Sequence, residues 1–263
     1  MGATSSCSMG VECIGSVDKK ITKHLFGAPL TEKYLLENLD DKNTKLYSIE
    51  VEKRSVSLII ITPPKLKYNK YVIFSHGNGC DIYIFSTYLK WFSYNYGVIA
   101  VSYDYPGYGL SEGKPSDKSC NINLTAVVQF ISNITDQKNI ILVGHSLGTG
   151  VVVDYIATHE WMNAVILISP YKSIPTVAYD SSSMNCLTKK YKFNSLKKME
   201  KIKCPVKIFH GTIDNLINIR HGKALYEKLP NKSLAPVWME GADHDNILNM
   251  INEKDILEVI TYV

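Results

Sequence analysis

The sequence predicts a single α/β domain with a mostly parallel central sheet flanked by helices. Short apolar runs rich in β-branched residues alternate with segments of helical periodicity along most of the chain. No repeat, low-complexity linker or break in composition divides residues 26–263, so we expect one domain there and a flexible tail over residues 1–25. A third observation is a Gly-x-Ser-x-Gly motif placed between an apolar strand and a helix.

The elements follow in chain order. An antiparallel pair is predicted at 45–52 and 55–62, ended by two prolines. Further strands are predicted at 71–75, 98–103, 140–143, 164–169, 206–210 and 236–240. Helices are predicted at 85–94, 119–134, 148–158, 221–229 and 246–260. The irregular connection at about 170–205 lies between two core strands, where we expect a short lid-like insertion.

Residues 144–148 read Gly-His-Ser-Leu-Gly and directly follow the apolar run 139–143. This setting is typical of a nucleophile elbow, a sharp strand-to-helix turn that exposes a serine hydroxyl. A Cβ at either glycine would collide with the neighbouring elements of so tight a turn. The pattern therefore predicts Ser146 as a nucleophile.

A serine nucleophile needs a histidine base, and that base needs an acid to orient it. His244 is the best-placed histidine, because it lies in a polar loop after the last predicted strand, at the edge where ligands bind. Asp214 follows the preceding strand and gives the expected chain order of serine, acid and histidine. Asp180 is the competing acid, because it follows the strand that ends near Ser169. A loop histidine that bonds only to backbone is the alternative for His244.

Two backbone amides should bind the oxyanion that forms during acyl transfer. The amide of Leu147, directly after the nucleophile, is one predicted donor. The amide of Asn78, in the His-Gly-Asn-Gly loop after strand 71–75, is the other. The alternative for this loop is a simple tight turn.

Composition narrows the possible functions. The net charge of +4 is too small to indicate a nucleic-acid partner, and no run approaches the roughly 18 apolar residues of a membrane span. We expect no metal and no organic cofactor, since the cysteines and histidines have no ligand spacing and a triad needs neither. The N-terminus lacks a secretory signal, so we expect a cytoplasmic protein with reduced thiols at Cys80, Cys120, Cys186 and Cys204.

The N-terminal residues predict lipidation. Met-Gly-Ala-Thr-Ser-Ser fits the myristoylation pattern at Gly2, and Cys7 could carry a second acyl chain. One myristoyl chain binds membranes only marginally, and a second chain makes the anchoring stable. We therefore expect a peripheral protein at the cytosolic face of a membrane. A disordered tail that matches the pattern by chance is the alternative.

Several blocks resemble the α/β-hydrolases, and more narrowly the α/β-hydrolase domain-containing protein 17 type. They are Phe-Ser-His-Gly-Asn at 74–78, Tyr-Asp-Tyr-Pro-Gly-Tyr-Gly at 103–109, His-Gly-Thr-Ile-Asp at 210–214 and Gly-Ala-Asp-His at 241–244. The resemblance implies the α/β-hydrolase fold over about residues 45–260, with Ser146, Asp214 and His244 as triad. It also implies that Asp104 braces the tyrosine-rich loop.

The same resemblance implies hydrolysis of the thioester between a fatty acyl chain and a protein cysteine. The alternatives are a broad carboxylesterase or monoacylglycerol-type lipase, and a non-catalytic binding module. This chain has His145 in the elbow where that type more often has glutamine, and its Met-Gly start replaces a cysteine-rich N-terminus. The expected partners are an acylated protein or lipid ester and the membrane itself, while the oligomeric state is left open.

Two predictions concern the surroundings of the site. Tyr83, Tyr171 and Ile174 are candidates for an acyl pocket. Residues 189–203 hold seven lysines and one glutamate, so this segment could form a basic face at the mouth of the site toward anionic lipid. A solvated helix with outward lysines explains the same pattern equally well.

Overall fold

The computed structural model describes residues 26–180 and 193–262. These residues form an eight-stranded sheet in the order β1-β2-β4-β3-β5-β6-β7-β8. The strands are β1 (Thr44–Val51), β2 (Arg54–Ile61), β3 (Tyr71–Ser75), β4 (Ile99–Tyr103), β5 (Ile140–His145), β6 (Val165–Ile168), β7 (Val206–Gly211) and β8 (Val237–Met239). β2 pairs antiparallel with β1 and β4, and the pairs from β4 to β8 are parallel. The predicted strand bounds are confirmed to within two residues.

The described helices are α1 (Lys33–Glu37), α2 (Ile82–Tyr96), α3 (Asp117–Ser132), α4 (Leu147–Ile156), α5 (Ile174–Asp180), α6 (Ser195–Lys198), α7 (Arg220–Lys228), α8 (Ile247–Met250) and α9 (Glu253–Ile260). Short 3-10 turns lie at Gln137–Asn139 and Met199–Lys201. α2 begins three residues earlier than predicted, because Asp81 caps it by accepting a 2.8 Å hydrogen bond from the amide of Ile84. The single helix predicted at 246–260 is two helices, divided at Ile251 and Asn252.

The sheet has one apolar cluster on each face. Along β3, Ile73 belongs to a first cluster with the core residues of α3 and α4. Its neighbours Val72 and Phe74 belong to a second cluster with those of α2 and α9. This alternation follows from the two-residue period of a strand, and it buries the central strands on both sides.

The connection between β6 and β7 contains α5 and α6, and residues 181–192 of it lie outside the described part. Phe193, Met199 and Ile202 are fully buried in the first cluster. The backbone amide of Phe193 also donates to Asp117 Oδ2 at 2.8 Å. The described residues from 193 onward therefore pack against α3 and α4.

The topology places the carboxyl ends of β3 and β5 side by side. β3 lies between β4 and β5, with Ser75 opposite Gly144. The next strand in the chain, β4, lies on one side of β3, and the one after it, β5, lies on the other side. The strand order therefore reverses at β3, which makes this point the topological switch of the sheet. The loops after β3, β5, β7 and β8 open at this edge.

Candidate active site

Ser146 occupies a strained turn between β5 and α4. Its backbone has φ of 50° and ψ of −118°, an unusual conformation for a residue with a side chain. A Cβ on Gly144 would lie 2.7 Å from the carbonyl oxygen of Gly148. A Cβ on Gly148 would overlap the carbonyl oxygen of Ser75 on β3. The two glycines are therefore required by close backbone packing, as the elbow motif predicts.

The three predicted triad residues lie together. Ser146 Oγ is 3.0 Å from His244 Nε2, and His244 Nδ1 is 2.9 Å from Asp214 Oδ2. With its proton on Nδ1 and donated to Asp214, His244 presents Nε2 as the acceptor for the serine hydroxyl. Asp214 is the acid in this arrangement, while the side chain of Asp180 at the end of α5 lies outside the described residues.

The environment of Asp214 favours its charged form. Burial alone raises the pKa of this carboxyl. Four other effects outweigh burial and lower the pKa: the hydrogen bond from His244, the charge of that ring, the hydrogen bond from the amide of Ile217 and the charge of His210. The net result is a pKa below the ordinary value of an aspartate. Asp214 Oδ1 accepts from the amides of Leu216 at 3.0 Å and Ile217 at 2.7 Å, which fixes the carboxylate toward His244.

Two further histidines surround the triad, and sequence reasoning set both aside. The ring of His145 stacks on His244 with centroids 5.5 Å apart and planes 28° apart. Burial, together with the charge of His244, lowers the pKa of His145 to about 3, so this ring is neutral. His210 donates from Nε2 to the carbonyl of Ile217 at 2.7 Å, and burial lowers its pKa. His210 therefore holds the far end of the Asp214 loop as a neutral imidazole.

Both predicted oxyanion donors belong to segments beside Ser146. Leu147 is the first residue of α4, where a helix amide has no partner within the helix. A Cβ on Gly77 would lie 3.5 Å from Ser146 Cβ, so the loop that holds Gly77 and Asn78 passes directly beside the serine. This is the arrangement that an oxyanion hole requires of the loops after β3 and β5.

Residues remote in sequence hold the Asn78 loop in place. Asn78 Oδ1 accepts from the amide of Gly27 at 2.7 Å and from the hydroxyl of Tyr108 at 2.9 Å. Tyr105 donates its hydroxyl to the carbonyl of His76 at 2.6 Å. Sequence reasoning did not assign these roles, although the tyrosine block at 103–109 was recognised as part of the resemblance.

Asp104 connects the tyrosine loop to α2 and α3. Its carbonyl oxygen accepts from Ser111 Oγ at 3.0 Å and from Asn123 Nδ2 at 3.1 Å. Its Oδ1 accepts from the amide of Ile82, the first residue of α2, at 2.9 Å. Complete burial raises the pKa of this carboxyl. These contacts fit the bracing role that the resemblance implies.

The structure does not bring the three acyl-pocket candidates together. Tyr83 packs against the second cluster, whereas Tyr171 and Ile174 belong to the first cluster on the other face of the sheet. Tyr171 is buried, and its hydroxyl donates to the carbonyl of Leu147 at 3.2 Å. A Cβ on Gly150 would overlap that hydroxyl, so Tyr171 fits the space that α4 leaves above a glycine. Tyr171 is a core residue here, because its side chain turns under α4.

Contacts place two of the described lysines of segment 189–203. Lys198 forms an ion pair with Asp154 on α4. Lys203 borders a cavity with Lys70 and Lys138. The strands β3, β5 and β7 begin shortly after Lys70, Lys138 and Lys203, respectively. These three lysines therefore lie near the amino ends of the strands, opposite the edge that holds Ser146. Lys203 therefore lies away from the edge that holds the triad.

Gly2, Cys7 and Cys186 lie outside the described residues, while Cys80, Cys120 and Cys204 are free thiols. Burial raises the pKa of Cys80 and of Cys204 to about 12, so neither thiol is a nucleophile at neutral pH. In the ranges 26–180 and 193–262, no helix is long and apolar enough to cross a membrane.

Comparisons with known proteins agree with this geometry. Residues 67–195 match a family model described as serine aminopeptidase, S33. A putative alpha/beta hydrolase of Acanthamoeba polyphaga mimivirus, L404, is 40% identical over 252 residues, which are 94% of this chain and 95% of that protein. Human alpha/beta hydrolase domain-containing protein 17C is 37% identical over 187 residues, 70% of this chain and 55% of that protein. The chain thus spans nearly all of the viral relative but about half of protein 17C.

Solved structures share the fold at low sequence identity. Est1E from Butyrivibrio proteoclasticus superposes with a TM-score of 0.67 at 22% identity, over 81% of this chain and 99% of that one. The Pyrococcus furiosus esterase Pf2001 gives a TM-score of 0.66 at 19% identity, over 88% and 94%. The eight-stranded sheet, the elbow and these relatives lead to one conclusion: the chain belongs to the α/β-hydrolase family and is a hydrolase.

Proposed function

We propose that this hydrolase cleaves fatty acyl thioesters on protein cysteines, with Ser146, His244 and Asp214 as its catalytic triad. The observation that carries the proposal is the continuous relay of 3.0 Å and 2.9 Å contacts that ends at a serine on a strained elbow. The choice of a thioester is supported by the 37% identity to protein 17C and by the motif blocks that resemble this depalmitoylase type.

The reaction proceeds in two halves. Ser146 Oγ attacks the thioester carbonyl as His244 Nε2 takes its proton, and the amides of Leu147 and Asn78 bind the oxyanion. Collapse of the tetrahedral intermediate breaks the carbon–sulfur bond, and His244 returns the proton to the cysteine thiolate. Water then attacks the acyl-serine with His244 as base, which releases the fatty acid and restores Ser146.

Substitution of the nucleophile tests the mechanism. We expect Ser146→Ala to lower kcat/KM on a palmitoyl-cysteine peptide by at least about 10³-fold, because no other group can form the acyl-enzyme. Ser233→Ala changes an exposed serine and should behave as wild type. The measurement is thiol release, with circular dichroism to verify that both variants fold.

A matched oxygen ester separates the alternatives in the same assay. The same triad cleaves both bond types, so the alternatives differ in the ratio of kcat/KM on the thioester to kcat/KM on the ester: a thioesterase should favour the thioester clearly, and a carboxylesterase or lipase should not. Turnover of neither substrate by wild type would point to a binding module and contradict the proposed function.

We further propose that the protein acts at the cytosolic face of a membrane, anchored by myristate on Gly2 and palmitate on Cys7. Two chains are needed because one myristoyl chain binds only weakly. Gly2→Ala should move the protein from the membrane to the supernatant fraction of expressing cells, and Cys7→Ser should do so in part. Ala3→Ser alters a neighbouring position and keeps the pattern, so it should stay on the membrane. Unchanged fractionation of Gly2→Ala would contradict the anchor.

A further inference from the structure

The loops that hold the site expose large apolar side chains. Ile213 and Leu216 flank Asp214 and are 52% and 57% exposed, whereas Ile217 in the same loop is buried. Met250, at the end of α8 after the His244 loop, is 44% exposed, and Ile84, in the first turn of α2, is 49% exposed. We call these four residues the apolar rim. Each lies within seven positions of Asn78, Asp214 or His244.

Hydrogen bonds fix the central part of the rim beside the triad. The amide of Ile213 donates to the carbonyl of Ala242 at 3.1 Å, which joins the acid loop to the loop of His244. The amide of Leu216 donates to Asp214 Oδ1 at 3.0 Å. These hydrogen bonds hold the backbone while the side chains of Ile213 and Leu216 stay exposed to solvent. Packing inside this domain therefore does not explain why the two side chains are apolar.

The N-terminal segment reaches the domain on the same side. Phe26, the first described residue, is buried, and its ring centroid lies 6.4 Å from that of Phe193. The next amide, that of Gly27, donates to Asn78 Oδ1 at 2.7 Å. The 25 preceding residues of the sequence therefore join the domain next to the proposed oxyanion loop.

The charges of these loops indicate the chemistry of the partner. The acidic residues at the surface of 240–250 are Glu240, Asp243 and Asp245, whereas Asp214 in the neighbouring loop is buried. The lysines near the amino ends of β3, β5 and β7 lie at the opposite edge. An acidic surface disfavours phosphatidylserine and other anionic headgroups, whereas exposed isoleucine, leucine and methionine favour hydrocarbon.

We propose that the apolar rim is the surface by which this enzyme contacts a lipid bilayer, through apolar insertion and not through attraction to anionic lipid. This inference rests on the proposed function, since it lets the acyl chain of the substrate pass from the bilayer toward Ser146. Membrane contact and substrate entry then use one surface.

The test uses the full chain, produced without acylation so that no lipid anchor masks the rim. The rim variant combines Ile213→Ser with Leu216→Ser. The control combines Ile134→Ser with Met162→Ser, two apolar residues that are 51% and 63% exposed and lie before β5 and β6 at the other edge. Binding to phosphatidylcholine vesicles is measured by sedimentation, with and without added phosphatidylserine and at two salt concentrations.

We expect the rim variant to bind phosphatidylcholine vesicles at least about tenfold more weakly than wild type. It lacks the two apolar side chains whose transfer from water into the bilayer would favour binding. The control should bind as wild type, and salt should have little effect. The ratio of activity on a vesicle-embedded acyl thioester to activity on a soluble short-chain ester should fall with binding. If the double variant folds poorly, Met250→Ser takes its place. Met250 lies on a different element, and its substitution should lower vesicle binding and the activity ratio in the same direction.

Equal vesicle binding by the rim variant and wild type, or binding that requires phosphatidylserine and is lost in salt, would overturn the inference. Vesicle binding is measured without turnover. Failure of the proposed function, seen as no hydrolysis of either substrate, is therefore distinguishable from failure of the rim.

Discussion

Asn78 illustrates how the site depends on single hydrogen bonds from distant parts of the chain. Its side-chain oxygen accepts from Gly27 and Tyr108, which are 51 and 30 positions away. These bonds hold the side chain, and through it they limit the positions of the backbone amide proposed to bind the oxyanion. If Asn78 binds the oxyanion as proposed, Tyr108 is a positioning residue that acts through it.

We expect Tyr108→Phe to lower kcat about tenfold with KM nearly unchanged, because an imperfectly placed oxyanion donor weakens only the transition state. The ring stays in the core, so the loss of stability should be limited to about 1 kcal/mol. Steady-state kinetics on a soluble ester and thermal unfolding measure the two effects separately.

Tyr103→Phe is the matched control. That tyrosine is equally buried, but its hydroxyl contacts Ser75 Oγ on β3 at 2.8 Å and not the Asn78 loop. If both variants lost the same kcat, the positioning role of Tyr108 would be wrong.

At the scale of elements, side-chain caps fix where strands and helices begin. Asp41 accepts from the amides of Asn43 at 2.7 Å and Thr44 at 2.8 Å, and it pairs with Lys90 on α2. It therefore ties the start of β1 to a helix that packs on the sheet. The pKa of Asp41 is lowered to about 2, mainly by the hydrogen bond from Lys90 and next by the hydrogen bond from the backbone amide of Asn43.

This pKa predicts the acid dependence of the free energy of unfolding. The folded-state pKa of Asp41 lies below the ordinary value of 3.8, so its contribution is complete above about pH 4 and is lost as the pH falls toward 2. Asp41→Asn should therefore be less stable than wild type at pH 6, with a difference that shrinks toward pH 2. Urea denaturation over this range measures it.

Asp136→Asn serves as the reference for this prediction. Asp136 also contacts a lysine, Lys138, at 3.2 Å, but both side chains are about three-quarters exposed. An exposed pair contributes little, so this substitution should change stability only slightly at any pH. An equal effect of the two substitutions would argue against a specific role for Asp41.

At the scale of the described molecule, topology places Ser146, Asp214 and His244 at one edge of the sheet and three lysines at the other. The loops after β3, β5, β7 and β8 converge because parallel strands end at the same edge. Lys70, Lys138 and Lys203 gather near the amino ends of strands for the same reason. The composition of the stretch at 189–203 suggested either a basic face at the mouth or a solvated helix, and the fold places one of its lysines, Lys203, near the amino end of β7.

Much of this architecture follows from local patterns. The strands were predictable within two residues, and the central ones are buried on both faces, which demands continuous apolar runs. The proximity of Ser146, Asp214 and His244 was predictable from their places after β5, β7 and β8. The division of the last predicted helix was not predictable. Asn252 accepts a hydrogen bond from the amide of Lys254 at 2.9 Å and so starts a new helix, although the pattern of polar and apolar residues continues across this point.

The sequence by itself determined the class of fold, the elbow around Ser146 and the order of the triad, since these depend on neighbours along the chain. Only the tertiary structure decided that Tyr171 packs under α4, that Gly27 and Tyr108 hold Asn78, and that His145 stacks on His244. Such contacts join residues dozens of positions apart. They depend on side-chain direction and on the space left by other elements, which no local pattern encodes.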